Sequence, residues 1–531
     1  MLERNFIPNP NDPIELPRLP IEFRHPLERP ALRHLRWGPA RVKILIVTDG
    51  AGYDETSGFG LGIMIADAFD ENHPDHPDYA RFEFTKAQRF GSSGVTPGYD
   101  DFEFTAGSLD DFDELWLFGV STAAPYLQPG EVGVIEEFMD RGGGVLAMGD
   151  HEDLGLGLCG GIKRVRSMRK WWFQNPAPPA NMEVAPDNAN LTRNDTVQAP
   201  VPGGNVNSGT QSDATPQPVY PNYRYRWQWH FWRPWNRVKY PHPLLCGPRG
   251  VIKVFPDHAH EGDCIIPNAA FADEYPGDVD VEIVARGRNV VGRTKFGGNQ
   301  ITDPREFGLI GAWDGHDPST DGAGRVVVDA TWHHWFNVNL FGLRAEDGVE
   351  YADILAFFRN VAVWLAPKDE QARMRRAGQL ITLLIPSQFE HTLTLHKFRP
   401  ELIYWFGIYA RDALGKIAPQ CQSAAWYFDI IRPHLSERLI DTLRLREDID
   451  FDRESIASAR FEAIATETVG TSIFGGAMQA VAAEIQAERF DDLEAIAEKI
   501  DGLSEEGGKA GAEMAEKQLR IIADSFAKLS G

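Results

Sequence analysis

The sequence predicts an α/β fold in which a doubly wound, mainly parallel sheet is followed by an all-α C-terminal domain. Two observations support this prediction. Up to about residue 367, short apolar runs rich in β-branched residues alternate with segments of helical periodicity, as in strand–helix–strand units. Beyond Pro367, apolar residues recur at helical spacing almost throughout, and the final stretch is rich in Ala, Glu and Ile.

The strands of the predicted sheet are apolar runs that end at turn residues. The first, 42–48, is stopped by Asp49-Gly50-Ala51-Gly52, and the others are expected at 82–88, 114–119, 145–148, 251–255, 281–285 and 325–329. Helices are expected at 60–69, 131–141 and 351–365. In the second of these, the apolar residues have helical spacing, and the glycines at 142–144 end it as a left-handed cap would.

The chain divides into segments of different composition. Residues 1–40 are rich in proline, which predicts an extended N-terminal arm, and 41–367 form the predicted α/β domain. Within it, 173–240 lose periodicity and end in an arginine–aromatic run, so we expect a long loop excursion over the sheet edge. Residues 368–531 form the predicted helical C-terminal domain, whose helices are candidates for homo-oligomer formation.

Composition excludes several classes of protein. The chain has 531 residues and a formal net charge of −24, which argues against a nucleic-acid partner because phosphate binding needs a basic face. No apolar run is long enough to cross a bilayer, and the N-terminus does not resemble a signal peptide. The four cysteines are far apart and form no CxxC pair. We therefore expect a cytoplasmic, reduced protein that acts on a small-molecule substrate and has no membrane partner.

Three stretches rich in histidine and carboxylate carry the strongest functional signal. They are residues 149–153, 256–263 and 329–334, and each follows or ends an apolar run. A parallel sheet would bring them together at its carboxyl edge, where open α/β sheets bind ligands. The predicted catalytic residues are Asp150, His151, Glu152, Glu261 and His333, and the predicted metal ligands are His151, His258, His260 and His333.

These residue types allow two kinds of chemistry. His258 and His260 are two residues apart and share one side of an extended segment, so with other imidazoles they could bind a divalent metal such as zinc. A metal-bound water would then be the nucleophile, with Glu152 or Glu261 as general base. A carboxylate beside an imidazole also suits metal-free acid–base catalysis. A third interpretation is that the histidines only hydrogen-bond loops at the sheet edge.

Further residues are candidates for substrate binding or nucleophilic catalysis. Arg164 and Arg166 belong to the one dense basic segment, 163–170, which could bind a phosphate or carboxylate. Asp49, at the end of the first strand, and Trp332 complete the predicted substrate-binding set. Cys159 lies in a Gly-x-Cys-x-Gly pattern but lacks a preceding buried strand, which favours a packing role over a nucleophilic one.

The order of landmarks along the chain resembles a known group. The landmarks are 43–48, 113–119, 142–144, 242–245, 256–257, 324–327 and 358–366. Over about 41–366 this order is similar to the trehalose-utilisation-type branch of the class I glutamine amidotransferase-like superfamily. The resemblance implies a flavodoxin-like fold. Neighbours on a strand point to opposite sides, so only one of His333 and His334 can face the site, and the resemblance favours His333.

The turn after the strand at 145–148 departs from the superfamily pattern. Glutamine amidotransferases carry a cysteine on this turn, whereas this chain has Gly149, Asp150 and His151 there, so we do not expect glutamine hydrolysis. The sequence predicts an enzyme that acts on a small polar, carbohydrate-related substrate by metal-assisted hydrolysis or acid–base chemistry. The alternative is a catalytically silent scaffold or sensor whose C-terminal helices mediate assembly.

Overall fold

A computed structural model of the chain describes most of the predicted α/β region and much of the helical region. The described residues are 39–96, 98–121, 127–150, 154–171, 217–230, 233–247, 249–256, 263–288, 292–293, 301–302, 306–384, 403–435, 455–487 and 493–529. The predicted N-terminal arm, apart from its last two residues, and most of the predicted excursion lie outside these ranges.

Seventeen strands lie within the described residues. In chain order they are β1 (Ala40–Thr48), β2 (Ala80–Gln88), β3 (Gly98–Tyr99), β4 (Glu114–Phe118), β5 (Gly144–Met148), β6 (Gln217–Pro218), β7 (Tyr220–Pro221), β8 (Arg224–His230), β9 (Arg233–Tyr240), β10 (Cys246–Gly247), β11 (Gly250–Val251), β12 (Val254–Phe255), β13 (Glu282–Arg288), β14 (Gly292–Arg293), β15 (Ile301–Thr302), β16 (Glu306–Trp313) and β17 (Val326–Asp329).

Ten α-helices and four short 3-10 helices accompany these strands within the same described ranges. The α-helices are α1 (Gly62–Ala68), α2 (Pro129–Asp140), α3 (Leu156–Cys159), α4 (Asn337–Glu346), α5 (Val349–Leu365), α6 (Lys368–Leu384), α7 (Ile403–Ile417), α8 (Gln420–Ile431), α9 (Ser455–Ala487) and α10 (Leu493–Leu529). The 3-10 helices are Pro243–Leu245, Ala269–Glu274, His333–Trp335 and Arg432–His434.

Nine of the strands form one mostly parallel sheet in the order β3-β2-β1-β4-β5-β17-β16-β13-β7. Every pairing from β3 to β17 is parallel, and the three pairings from β17 to β7 are antiparallel. All residues of β4, β5 and β17 are buried, as expected of parallel strands covered on both faces. The predicted α/β architecture with a mainly parallel sheet is therefore confirmed.

One expectation about the sheet was wrong, and one strand of the sheet was not predicted. The predicted strand at 251–255 is not in the central sheet, because β11 and β12 pair only with β10 and β6. Ile252 and Phe255 of this segment are instead buried in the hydrophobic core outside the central sheet's strands. The sheet contains β16, which the sequence analysis missed. This strand carries Gly308, where a Cβ would lie 1.9 Å from the carbonyl oxygen of Cys264, so the chain needs glycine for this close approach.

The arginine–aromatic run is also different from the expectation. It forms an antiparallel hairpin of β8 and β9 rather than a loop without secondary structure. The alternation of arginine with aromatic residues from Arg224 onward is the two-residue period of a strand, which the sequence analysis did not use.

The C-terminal region is helical, as predicted. Helix α6 contacts β1, and α9 packs closely along α10. A Cβ at Gly476 would lie 2.1 Å from the carbonyl oxygen of Gly507, so these two helices approach each other through glycine. Among the described residues, no helix is long and apolar enough to cross a membrane.

A disulfide connects the α/β region to the helical C-terminal region and corrects the expectation of a fully reduced protein. Cys246 of β10 is bonded to Cys421 of α8, at a sequence separation of 175 residues. The spacing rules applied to the sequence detect only local cysteine patterns, so they missed this pair. Cys159 and Cys264 are free thiols and are buried.

Candidate functional site

A histidine and an aspartate meet at the carboxyl ends of two neighbouring strands. Met148 at the end of β5 pairs in register with Asp329 at the end of β17. The chain that follows each strand brings His333 Nε2 to 2.8 Å from Asp150 Oδ2. Both side chains are about 1% exposed. The structure therefore places Asp150 of the first predicted stretch beside His333 of the third.

Thr331 completes a ring of hydrogen bonds around this pair. Its hydroxyl donates to Asp150 Oδ1 over 2.7 Å and accepts from the backbone N–H of His333 over 3.0 Å. The backbone and the ring of His333 are thus both tied to one carboxylate. An ionised carboxylate only accepts hydrogen bonds, so an ionised Asp150 would place the proton of a neutral His333 on Nε2.

A second pair lies directly beside the first. His334 Nε2 is 2.8 Å from Asp329 Oδ2, and the indole N–H of Trp335 donates to the same oxygen over 3.1 Å. The expectation that His333 and His334 lie on a strand was wrong. Both lie in the 3-10 helix His333–Trp335, and both are buried. The ring of His333 contacts Asp150, and that of His334 contacts Asp329.

Arg169 joins the loops after β5 and β17. Its guanidinium is fully buried, donates to the backbone carbonyls of Asp150 and Ala330, and lies over the Trp171 ring at 4.5 Å from the centroid. Burial lowers the pKa of Arg169, and the carboxylates of Asp150 and Asp329 partly offset this effect. Arg169 thus places a positive charge beside the two buried carboxylates of Asp150 and Asp329.

Asp49 lies where the strand order reverses, between the carboxyl ends of β1 and β4. Its Oδ1 accepts hydrogen bonds from the backbone N–H groups of Val120 and Ser121, at 2.6 and 3.0 Å. Burial raises the pKa of Asp49 to about 6, against the lowering effect of these hydrogen bonds. A carboxyl group that titrates near neutral pH at such a reversal point is a candidate for proton transfer or substrate binding.

The two predicted substrate-binding arginines are held by carboxylates. Arg164 Nε donates to the backbone oxygen of Glu274 over 2.8 Å, and its guanidinium also pairs with Asp140. Arg166 pairs with the Glu274 carboxylate over 2.6 Å. Arg164 is buried, with a positive φ of 71°. Their role in substrate binding stays a prediction, although these ion pairs give both residues a structural function.

The predicted residues His151, Glu152, His258, His260 and Glu261 lie outside the described residues. The chain on either side of the second stretch is described. Phe255 packs on His334, with ring centroids 4.5 Å apart, and Asp263 pairs with Lys170 next to Arg169 over 2.8 Å. Both ends of this stretch are therefore anchored beside the two histidine–aspartate pairs.

Neither a metal centre nor a reactive cysteine is visible in the described part of the chain. Among those residues, no three His, Cys, Asp or Glu side chains are grouped so that they could hold a metal ion. Cys159 is fully buried in α3, its thiol lies 3.5 Å from the carbonyl oxygen of Met148, and burial raises its pKa. These surroundings match the packing role that the sequence favours for Cys159.

Sequence reasoning missed three residues of this site. Arg169 is in the basic segment, but nothing in its spacing separates it from Arg164 and Arg166. Thr331 and Asp329 are in the third stretch, and only the fold shows that they hold the two histidines.

Comparisons with known proteins identify no relative. No protein-family model matches the chain, and searches of curated proteins and of solved structures gave no significant match.

Proposed function

We propose that this protein is an enzyme that uses Asp150 and His333 as an acid–base pair on a small polar substrate. The hydrogen-bonded ring of Asp150, Thr331 and His333 carries this proposal, because it fixes the orientation and tautomer of one imidazole at a sheet edge that suits ligand binding. The five strands β2-β1-β4-β5-β17 have the order of a flavodoxin-like sheet, which supports the predicted fold.

In this mechanism, the imidazole of His333 accepts a proton from the substrate or from an attacking water. Asp150 stabilises the imidazolium that forms, since their contact of 2.8 Å is maintained while the charge develops. The buried guanidinium of Arg169 lies close to Asp150, so its positive charge attracts the Asp150 carboxylate. Asp49, whose pKa is about 6, is the second proton-transfer group at this edge.

Metal-assisted hydrolysis is the second route to the same activity. A histidine that donates one ring N–H to a carboxylate commonly binds a metal through its other nitrogen, and the Asp150–His333 contact has this form. The remaining ligands would be the predicted His151, His258 and His260. A carbohydrate-related substrate, the amidotransferase-like relationship and self-association through the C-terminal helices stay predictions.

The test combines an activity screen with elemental analysis of the purified protein. Chromogenic esters, amides, glycosides and phosphoesters are screened with the wild type, Asp150→Asn, His333→Gln and the control Asp113→Asn. Asp113 lies at the opposite edge of the sheet, where it accepts from the backbone of Lys43. We expect both site variants to lose about 100-fold or more in turnover and the control to retain it.

A stoichiometric metal that disappears in His258→Ala/His260→Ala would favour the metal route. Turnover that persists in both site variants would contradict the proposal. Well-folded protein that turns over no substrate class would support the scaffold or sensor.

A further inference from the structure

A buried indole next to His333 lacks a hydrogen-bond acceptor. Trp332 is 2% exposed, and within the part of the chain that the structure describes its Nε1 has no hydrogen-bond partner. Indole donors usually find an acceptor when they are buried, because an unpaired buried N–H is costly. The Trp332 ring lies 4.9 Å from that of His333, centroid to centroid, so an acceptor bound to Nε1 would be close to the acid–base pair.

Phe59 covers this indole. Its ring meets that of Trp332 at 5.5 Å and an interplanar angle of 64°, and it remains 40% exposed. Phe336 stacks on the same indole at 4.7 Å and 21°. Trp332 is therefore enclosed by one buried ring and by one ring that is open to solvent.

The backbone on both sides of Phe59 is fixed. Gly60 O accepts from Asn337 N over 2.9 Å, Gly58 O accepts from Val338 N over 3.0 Å, and Phe59 O accepts from Gly52 N over 2.8 Å. The first two bonds tie the β1–α1 loop to the segment after β17, and the third closes the loop on itself. Any opening of this cover must consequently come from the Phe59 side chain and not from the loop.

We propose that Trp332 and Phe59 form a ligand subsite, in which Phe59 swings aside and the Trp332 indole N–H donates to the ligand. The ligand is a neutral ring that has a flat face for the aromatic side chains and an oxygen acceptor for Nε1. Asp49, Asp54 and Glu55 lie on the same loop, which disfavours an anionic ligand. Neutral monosaccharides and nucleosides both have this chemistry, and they are the two sources that the experiment distinguishes.

This inference rests on the proposed function only in treating the ligand as the substrate, since binding is measured without turnover. The probes are glucose, galactose, mannose, adenosine and uridine at millimolar concentration. Indole N–H signals are followed by ¹⁵N–¹H NMR, and Trp332→Phe identifies the signal of Trp332. We expect one of the two probe classes to shift this signal and Trp332→Phe to weaken its binding about tenfold or more.

Phe59→Ala tests whether the Phe59 side chain controls access to the Trp332 indole. We expect it to accelerate hydrogen exchange of the Trp332 indole about tenfold or more, because the exposed cover is removed. Asp113→Asn, at the opposite edge of the sheet, should bind the probe like the wild type. Because binding is measured without turnover, a failure of catalysis is separated from a failure of binding.

Trp313→Phe is the folding control, since its buried indole N–H donates to Val279 O over 3.0 Å. Both changes remove the same buried volume, but only Trp313→Phe also removes a hydrogen bond, so we expect Trp313→Phe to lower the melting temperature by about 2 °C more than Trp332→Phe does. The proposal is overturned if no probe shifts the Trp332 signal in either the wild type or Phe59→Ala. It is also overturned if Trp332→Phe is destabilised as much as Trp313→Phe, because the indole N–H would then have an acceptor within the protein.

Discussion

Asp329 and His334 form a buried pair, with Oδ2 and Nε2 2.8 Å apart, at the point where β17 ends. The same carboxylate accepts from the indole of Trp335 and, through Oδ1, from the backbone N–H of Thr331. One aspartate therefore fixes the turn that presents His333 to Asp150, so the second pair supports the first.

Replacement of Asp329 by alanine should destabilise the protein. Three donors would lose their acceptor in a fully buried environment, so we expect a loss of about 3 kcal/mol in the free energy of unfolding. His334→Phe should cost less, because it also removes Nδ1, a buried atom that has no partner among the described residues. Urea unfolding measures both changes. A loss below about 1 kcal/mol for Asp329→Ala would show that the network is unimportant for stability.

Replacement of Arg169 by either lysine or methionine should lower the free energy of unfolding. Lysine keeps the charge but cannot bridge the carbonyls of Asp150 and Ala330, and methionine leaves both without a donor. We expect Arg169→Lys to cost about 2 kcal/mol and Arg169→Met about 3 kcal/mol in unfolding free energy. The control is Arg141→Lys at an exposed pair with Asp110, which should change stability by less than about 0.5 kcal/mol. Equal effects at both arginines would refute the bridging role.

Asp49 should make stability depend on pH. Its pKa of about 6 lies above the value in an unfolded chain, so the native state binds the proton more tightly. The contribution of Asp49 to the free energy of unfolding is therefore fully present below about pH 4, and it is lost as the pH rises through 6. Asp49→Asn should therefore stabilise the protein at pH 7.5 relative to the wild type, by about 2 kcal/mol after allowance for partial exposure, and have little effect at pH 4.

Asp54→Asn is the matched control for this titration. Hydrogen bonds from the Thr56 hydroxyl and the Ser57 and Thr56 backbone lower the pKa of Asp54, so its contribution to stability is lost as the pH falls. The two variants should thus change the pH dependence of the urea midpoint in opposite directions. The same direction in both variants would disprove the assignment for Asp49.

The cysteines should divide into one bonded pair and two thiols. In denaturant without reductant, a thiol reagent should titrate Cys159 and Cys264, and after reduction it should titrate all four cysteines. Peptide mapping under non-reducing conditions should recover a linked fragment that contains Cys246 and Cys421. Four thiols before reduction would contradict the disulfide.

The sequence predicts the parts of this fold that depend on local pattern. β4, β5 and β17 are continuous apolar runs that are buried in full, which is why periodicity located them. β16 carries Gly308 and Gly311, which weaken a strand signal, and the reason for Gly308 is a contact with Cys264, 44 residues away in sequence (308 − 264). A pattern within one segment cannot reveal such a contact.

In the candidate site, too, local pattern predicted some residues and long-range contacts determine the others. Asp150 and His333 were predicted to converge because each follows a strand and parallel strands share one carboxyl edge. Arg169 contacts Asp150 and Ala330 from a segment that belongs to no strand of the sheet, so no rule about strand ends could select it. Similarly, His333 and His334 lie in a 3-10 helix and not on the expected strand. In this helix, both rings contact a carboxylate.

The ring tautomer of His333 tests the central claim most directly. ¹⁵N-edited NMR of the neutral His333 ring in the wild type should show its proton on Nε2, as expected if an ionised Asp150 accepts the hydrogen bond between them. In Asp150→Ala the preference should relax to a mixture of tautomers, while the fold remains intact by circular dichroism. A His333 ring that is protonated on Nδ1 in the wild type, or whose tautomer is unaffected by loss of the carboxylate, would contradict the acid–base pair.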